Sequence, residues 1–204
     1  MSSKGTQRLP AAERRELLLA AATERFATHG YHATDVASIA AAAGVTKVIA
    51  YRAFGSKQAL YRTLLNRHRD ELLATLIASQ QREHADTAQR IRTGLTAWFA
   101  YVESHPFAWR LLFRDTTGLA ELEAHHHEMR SQARTVIAHL LIEHLSVAAA
   151  DAAPTAEFLR AAIVGLALWW LENPDIESTE IIATAERLVR GALENVRTPT
   201  GSRR

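Results

Sequence analysis

Cysteine is absent from the 204 residues, which excludes disulfides, thiolate metal centres and a cysteine nucleophile, and fits a reducing cytosol. Glycine and proline are sparse, at 9 and 5 residues, and no glycine cluster forms a phosphate-cradling loop. No stretch alternates polar and apolar residues as a strand does, and no repeat is visible. The opening MSSKGTQRLP lacks an apolar core, so no signal peptide is expected. The longest apolar run, Ala161 to Leu171, falls short of the roughly 20 residues that cross a bilayer. The expectation is a soluble, cytoplasmic, all-helical protein with no membrane partner.

Charge of one sign is scarce overall but not locally. Residues 1–69 hold 11 Lys and Arg against 4 Asp and Glu, whereas the remainder holds 13 against 18. A basic first third joined to an acidic remainder assigns contact with a polyanion to the first third alone.

That third contains TDVASIAAAAGVTKVIAYRAFGSKQAL, Thr34 to Leu60. Thr34 is a suitable N-cap for a helix whose Val36, Ile39 and Ala40 form an apolar stripe. Gly44 ends that helix and Thr46 caps another almost at once, a turn too short for antiparallel packing. The two helices must cross steeply, as in a helix-turn-helix whose second member enters a DNA major groove. On that second helix Val45, Ala50 and Phe54 fall at core-facing spacing, leaving Lys47, Val48, Ile49, Tyr51 and Arg52 outward. The outward set has two cations, a phenol and no acid. Lys47 and Arg52 can reach phosphate or guanine O6/N7. Val48 and Ile49 either pack on thymine methyls or belong to the core. Ser56 caps a third helix with Lys57 in its first turn, where a cation opposes the helix dipole unless an anion sits in front.

The stretch resembles the DNA-binding domain of the tetracycline-repressor (TetR) family of transcriptional regulators. The matching segments are LLLAAATERFATHGYHAT (Leu17 to Thr34), IAAAAGVTK (Ile39 to Lys47) and AYRAFGSKQALY (Ala50 to Tyr61), roughly a quarter of the chain. Departures from the family pattern are Ala50 in place of a larger aliphatic, Val48 and Ile49 in place of small or polar residues, and Ala53 in place of an aromatic or His. The resemblance implies that Thr34, Thr46, Tyr51 and Lys57 contact DNA phosphates. It further implies that the last two helices form a four-helix bundle with a two-fold mate.

Elsewhere the periodicity predicts Leu18, Leu19, Ala22 and Phe26 on the buried stripe of a first helix starting at Pro10 and ending at Gly30. A helix from Ser56 runs unbroken toward Arg82, past residue 69, where a DNA-binding domain (1–69) is divided from an effector-binding and dimerisation domain (70–204). Further helices are expected over residues 87–105, Phe107 to Phe113, and Leu119 to about Val147. The last two span Thr155 to Glu172, after Pro154, and a segment capped by Ser178 or Thr179. A turn is expected at Asp115 to Gly118, a disordered start over Met1 to Leu9 and a frayed tail over Thr198 to Arg204. Ala161, Ala162, Gly165, Trp169, Leu188, Gly191 and Ala192 are the candidate contacts of that implied dimer, the small ones because they let backbones approach closely.

His125, His126 and His127 are consecutive and point about 100° apart on a helix, so they cannot converge on one ion. His127-Glu128 lacks the second histidine of a zinc-protease motif, since position 131 is Ser. No metal and no cofactor is expected. All four Trp lie in the second domain, and Trp98, Phe99, Val102, Phe107, Trp109, Phe113, Met129 and Trp169 are candidates for lining an effector pocket as well as for core. The reading is a non-enzymatic, ligand-responsive regulator. Its partners are double-stranded DNA with a palindromic operator, a small apolar or aromatic effector, and a second copy of itself. Repression is the expected sign, with activation the alternative.

Overall fold

Apolar residues recurring every three or four positions build nine α-helices and no strand among the residues that the computed structural model describes, namely 9–81, 86–113, 117–194 and 196. The expected N-terminal tail up to Arg8, Arg82, Asp115, Thr116 and the tail from Thr198 lie outside the described residues.

The first four helices are α1 (Ala11–Ala33), α2 (Val36–Ala42), α3 (Lys47–Phe54) and α4 (Lys57–Gln80). Leu18, Leu19, Ala22 and Phe26 form the buried stripe of α1, and Gly30 at φ 76° leaves the helical conformation near its end. Tyr31 then turns back into the core, with its ring 5.8 Å from Phe26 and 5.1 Å from Tyr61. Thr46 and Ser56 cap α3 and α4 by accepting from the N–H groups of Ile49 (3.4 Å) and Ala59 (3.0 Å). Such caps each stabilise a helix by about 1 kcal/mol.

The remaining helices are α5 (Thr87–Ser104), α6 (Pro106–Phe113), α7 (Ala120–Leu145), α8 (Ala149–Leu171) and α9 (Ser178–Glu194). Two cores result. One joins α1–α3 to Leu60, Tyr61, Leu64 and Leu65 of α4, and continues into Leu111, Leu112, Leu122 and Met129. The other gathers Leu72 of α4 with Ile91, Leu95, Phe99 and Val102 of α5 and with the inner faces of α7–α9. A carboxylate from Glu123 holds the turn before α7 by accepting from the N–H groups of Thr117 (2.9 Å) and Gly118 (3.2 Å).

Two expectations need correction. Pro154 does not start α8 but lies inside it, because the alanines before it carry helix propensity and the one donor lost faces an exposed Ala150. The last helix begins at Ser178, with Glu177 preceding it and accepting from Glu180 and Ile181. By length and composition α8 would also be long and apolar enough to cross a membrane, a test that the core helix of a soluble protein passes as well. The alanine-rich turns before Ala161 supply the length that the apolar run lacks.

His68 lies buried where the two cores meet, and its backbone carbonyl accepts from the Tyr101 hydroxyl at 3.1 Å. Its Nδ1 is 3.2 Å from the Glu71 carboxylate and its Nε2 is 3.0 Å from the Thr23 hydroxyl. A carboxylate only accepts, so the ring carries a proton on Nδ1 toward Glu71, while Nε2 lies beside a Thr23 hydroxyl whose one proton is donated to the Leu19 carbonyl at 2.9 Å. Burial pushes the His68 pKa down, outweighing the pull of Glu71. The unfolded chain therefore takes up this proton first as pH falls below the ordinary imidazole value of about 6.5. Native stability should fall over that range, and His68→Gln should flatten the decline relative to the wild type. Parallel melting-temperature profiles from pH 7.5 to 5.5 would contradict this.

Candidate nucleic-acid interface and effector cavity

The interface is built from the α2–α3 turn outward. Gly44, at φ 66°, takes the left-handed conformation that lets the chain reverse between the helices. The two helices are bent by 108°, within the range of a helix-turn-helix. Ala50 is buried and Phe54 half-buried, which fixes the inner side of α3. Its outer side then consists of Lys47, Val48, Tyr51 and Arg52, all exposed, and α3 contains no acid. Lys47 and Tyr51 are one helical turn apart, with the ammonium 5.7 Å from the ring centre. Ile49 is half-buried and packs on the first core, whereas Val48 is 59% exposed. The two aliphatics thus occupy different environments.

Thr34 is a correction. It is only 2% exposed, and its hydroxyl lies 2.8 Å from the Gly30 carbonyl and 3.1 Å from that of Arg25. It closes the end of α1, where Gly30 leaves carbonyls needing donors. The cap of α2 is Asp35, whose carboxylate accepts from Ser38 N–H at 2.7 Å. That hydrogen bond, above the other influences, holds the Asp35 pKa below its ordinary value.

Lys57 also has partners within the fold. Its ammonium sits 4.3 Å from the centre of the Tyr31 ring and donates to the His32 carbonyl at 3.4 Å. Burial is the main influence lowering its pKa. A ring face and a carbonyl thus meet this cation within the fold, while burial still disfavours its charge. A residue the sequence did not flag, Arg15, donates to the Ala53 carbonyl at 2.9 Å and lies over the Phe54 ring at 4.3 Å. It fastens α1 to the end of α3, and nothing in its local sequence marks it as other than a solvated charge.

In the second core a cavity of about 300 Å³ lies between α4, α5, α6 and α7. An adjoining space of about 210 Å³ shares Leu76, Gln80, Trp98, Ile137, Leu140, His144 and Arg160 with it. Among the candidate pocket residues, Trp98, Phe113 and Met129 line the larger lobe. Phe99, Val102 and Trp109 are fully buried core instead. Trp109 packs edge-on against Trp98 at 4.7 Å. Phe107 faces a separate cleft against α1, lined with Glu13, Glu16, Glu24 and Glu71. Trp169 is 48% exposed on α8 and lines neither lobe. The aliphatic residues of α4 and α7 that complete the cavity read in sequence as ordinary helix stripes.

A third feature is the outer face of α8 and α9. Phe158, Trp169 and Leu188 are 61%, 48% and 58% exposed, and Ala161, Ala162, Gly165 and Gly191 are exposed beside them, with Ala192 half-buried. A Cβ at Gly165 or Gly191 would touch nothing within 4 Å, so packing within the chain does not require glycine at either place. His125 is occupied with Asn66 at 2.9 Å. Among the described residues no group of three His, Cys, Asp or Glu could hold a metal ion.

Two family models match the chain. That of the bacterial regulatory proteins of the tetR family covers residues 18–64, and that of the tetracyclin repressor-like C-terminal domain covers residues 86–193. The chain is 32% identical to the HTH-type transcriptional activator FasR of Mycolicibacterium smegmatis, over 93% of this chain and 87% of that protein. Its fold matches a TetR-like transcriptional regulator from Rhodococcus sp. RHA1 with a TM-score of 0.76 at 26% identity, over 92% of this chain and 99% of the other. The fatty acid degradation regulator FadR of Bacillus halodurans matches in fold with a TM-score of 0.74 at 17% identity, over 92% and 96% of the two chains.

The contrast between Arg52, exposed on α3, and Lys57, held within the fold, separates their expected effects. Arg52→Ala should weaken a cognate duplex by about 1–3 kcal/mol and relax preference at one base position. Lys57→Ala should lower the melting temperature and weaken cognate and scrambled duplexes alike. Fluorescence anisotropy on both duplexes checks this, and an identical pattern from the two variants would contradict it.

Proposed function

The chain belongs to the tetR family of bacterial regulatory proteins, and on that premise we propose that it is a dimeric repressor released from a palindromic operator by a small apolar effector. The family is one of DNA-binding transcriptional regulators rather than enzymes. The observation that carries the proposal is the acid-free outer face of α3, presented at a steep angle to α2. Lys47, Tyr51 and Arg52 are the proposed contacts to phosphates and base edges, Val48 an apolar contact to thymine methyls, and Thr46 with its helix N-terminus a phosphate contact.

The dimer brings α8 and α9 against their copies across Phe158, Trp169, Leu188 and the small residues between them. Two recognition helices about 34–36 Å apart then read successive major grooves. We divide the chain at residues 69 and 70 because its two cores part between Leu65 and Leu72 of α4. A regulator of this kind acts where the DNA is, in the cytoplasm. The effector occupies the cavity beside Trp98, Phe113 and Met129 and must bind the DNA-free form more tightly than the DNA-bound form.

A second reading has its own support, because the relative FasR is described as an activator. Adding effector to the protein on DNA from upstream of its own gene separates the two. Repression by release predicts falling anisotropy, and ligand-dependent activation predicts a rise or no change.

The dimer face yields a further expectation. Leu188→Arg or Gly165→Leu should leave the fold intact, since neither position is packed within the chain, yet produce a monomer with weak operator binding. Sedimentation velocity showing an unchanged dimer for both variants would overturn this interface.

A further inference from the structure

The two adjoining cavity lobes share a chemical bias that the effector reading leaves unused. The charged side chains lining them are Arg69, Arg90, Arg130 and Arg160, and no Asp or Glu lines either lobe. Three of these cations are engaged within the chain. Arg69 pairs with Asp70 at 2.8 Å, Arg160 donates to Glu157 at 3.1 Å, and Arg90 donates to the Gln80 carbonyl at 3.4 Å. Arg130, exposed on α7 beside the buried Met129, has no hydrogen bond or ion pair among the described residues. The lining of the larger lobe also includes two exposed aliphatics, Ile77 of α4 at 52% and Val136 of α7 at 39%. Most of the larger lobe's lining is aliphatic and aromatic, and the wall it shares with the smaller lobe adds Gln80, His144 and Arg160 to Leu76, Trp98, Ile137 and Leu140.

From this arrangement we infer that the effector is an anionic amphiphile with a long, flexible apolar tail, its head group at Arg130 and its tail running past Trp98 into the second lobe. The inference rests on the effector-cavity reading above. Two modest lobes joined at a shared wall suit a chain that can bend better than a wide, rigid ring system. An ionised head cannot follow the tail inward, because burying an unpaired charge in apolar surroundings is prohibitive. At the rim it stays partly hydrated and meets the Arg130 guanidinium, which acts on Glu157 only through its field and is suited to carboxylate or phosphate geometry. A cationic head would meet arginines in the lining and no lining carboxylate, since Asp70 and Glu157 are already paired with Arg69 and Arg160.

The test uses the full-length protein, its intrinsic tryptophan emission, and straight-chain carboxylates of increasing length. Affinity should rise roughly fourfold per added methylene until the lobes are filled. At equal tail length the carboxylate should bind more tightly than the alcohol, and the alkyltrimethylammonium least tightly. Arg130→Gln should weaken carboxylate binding about tenfold while leaving the alcohol unaffected. Equal affinities for carboxylate and alcohol, or an unchanged Arg130→Gln variant, would overturn the anionic assignment. Displacement of the neutral dye Nile red separates the two levels of failure. If the dye binds and neutral compounds displace it as well as carboxylates do, the cavity stands and the anionic class falls. If neither dye nor amphiphile binds, the effector-cavity reading falls with it.

Discussion

One unbroken helix, α4, belongs to two hydrophobic cores at once. Leu60, Tyr61, Leu64 and Leu65 anchor its first half among α1–α3, and Leu72 anchors its second half among α5, α8 and α9. A buried leucine contributes about 1.5–3 kcal/mol, so each half is held far more firmly than any surface contact could hold it. Between the two anchors no glycine or proline allows a hinge. Any displacement of the second half must be carried to the first, and with it to the cap at Ser56 and the helix that ends just before it.

Polar contacts set the direction of that transmission more than its strength. Arg62 and Gln58 on α4 both reach Glu121 on α7, at 2.9 and 2.7 Å, and His125 reaches Asn66 a turn further on. His32 bonds the Thr117 carbonyl, joining the end of α1 to the turn before α7. Exposed pairs of this kind are worth at most about 1 kcal/mol each. They nevertheless place α7, a wall of the cavity, in register with the DNA-binding end of α4. A ligand that spreads α4 from α7 would strain these contacts first, which gives a physical route from an apolar cavity to the position of Arg52 without a separate signalling element.

Much of this was legible because it rests on local rules. Gly44, Thr46 and Ser56 mark helix ends by short-range hydrogen bonding and backbone freedom, so the helix-turn-helix could be read residue by residue. What failed were choices made by tertiary context. Thr34 and Asp35 are both good caps, and only the carbonyls freed at Gly30 decide that Thr34 turns inward. Pro154 reads as a helix start until the alanines before it are counted. Among the aromatics, sequence cannot tell Phe99, wholly in the core, from Trp98, on a cavity wall, since both fall on the inner side of one helix. Trp169 next to Trp170 illustrates the same limit, one on the outer face and one buried. The burial of His68 was invisible because, beside the local Glu71, its ring meets Thr23 and its carbonyl meets Tyr101, both from distant segments.

The most direct test of the central claim is hydroxyl-radical footprinting of the protein on DNA from upstream of its own gene. Two recognition helices fixed by a dimer predict two protected patches on one face of the duplex, centred one helical turn of about 10–10.5 base pairs apart and related by a dyad. A single patch, or protection spread evenly along the duplex, would contradict the account.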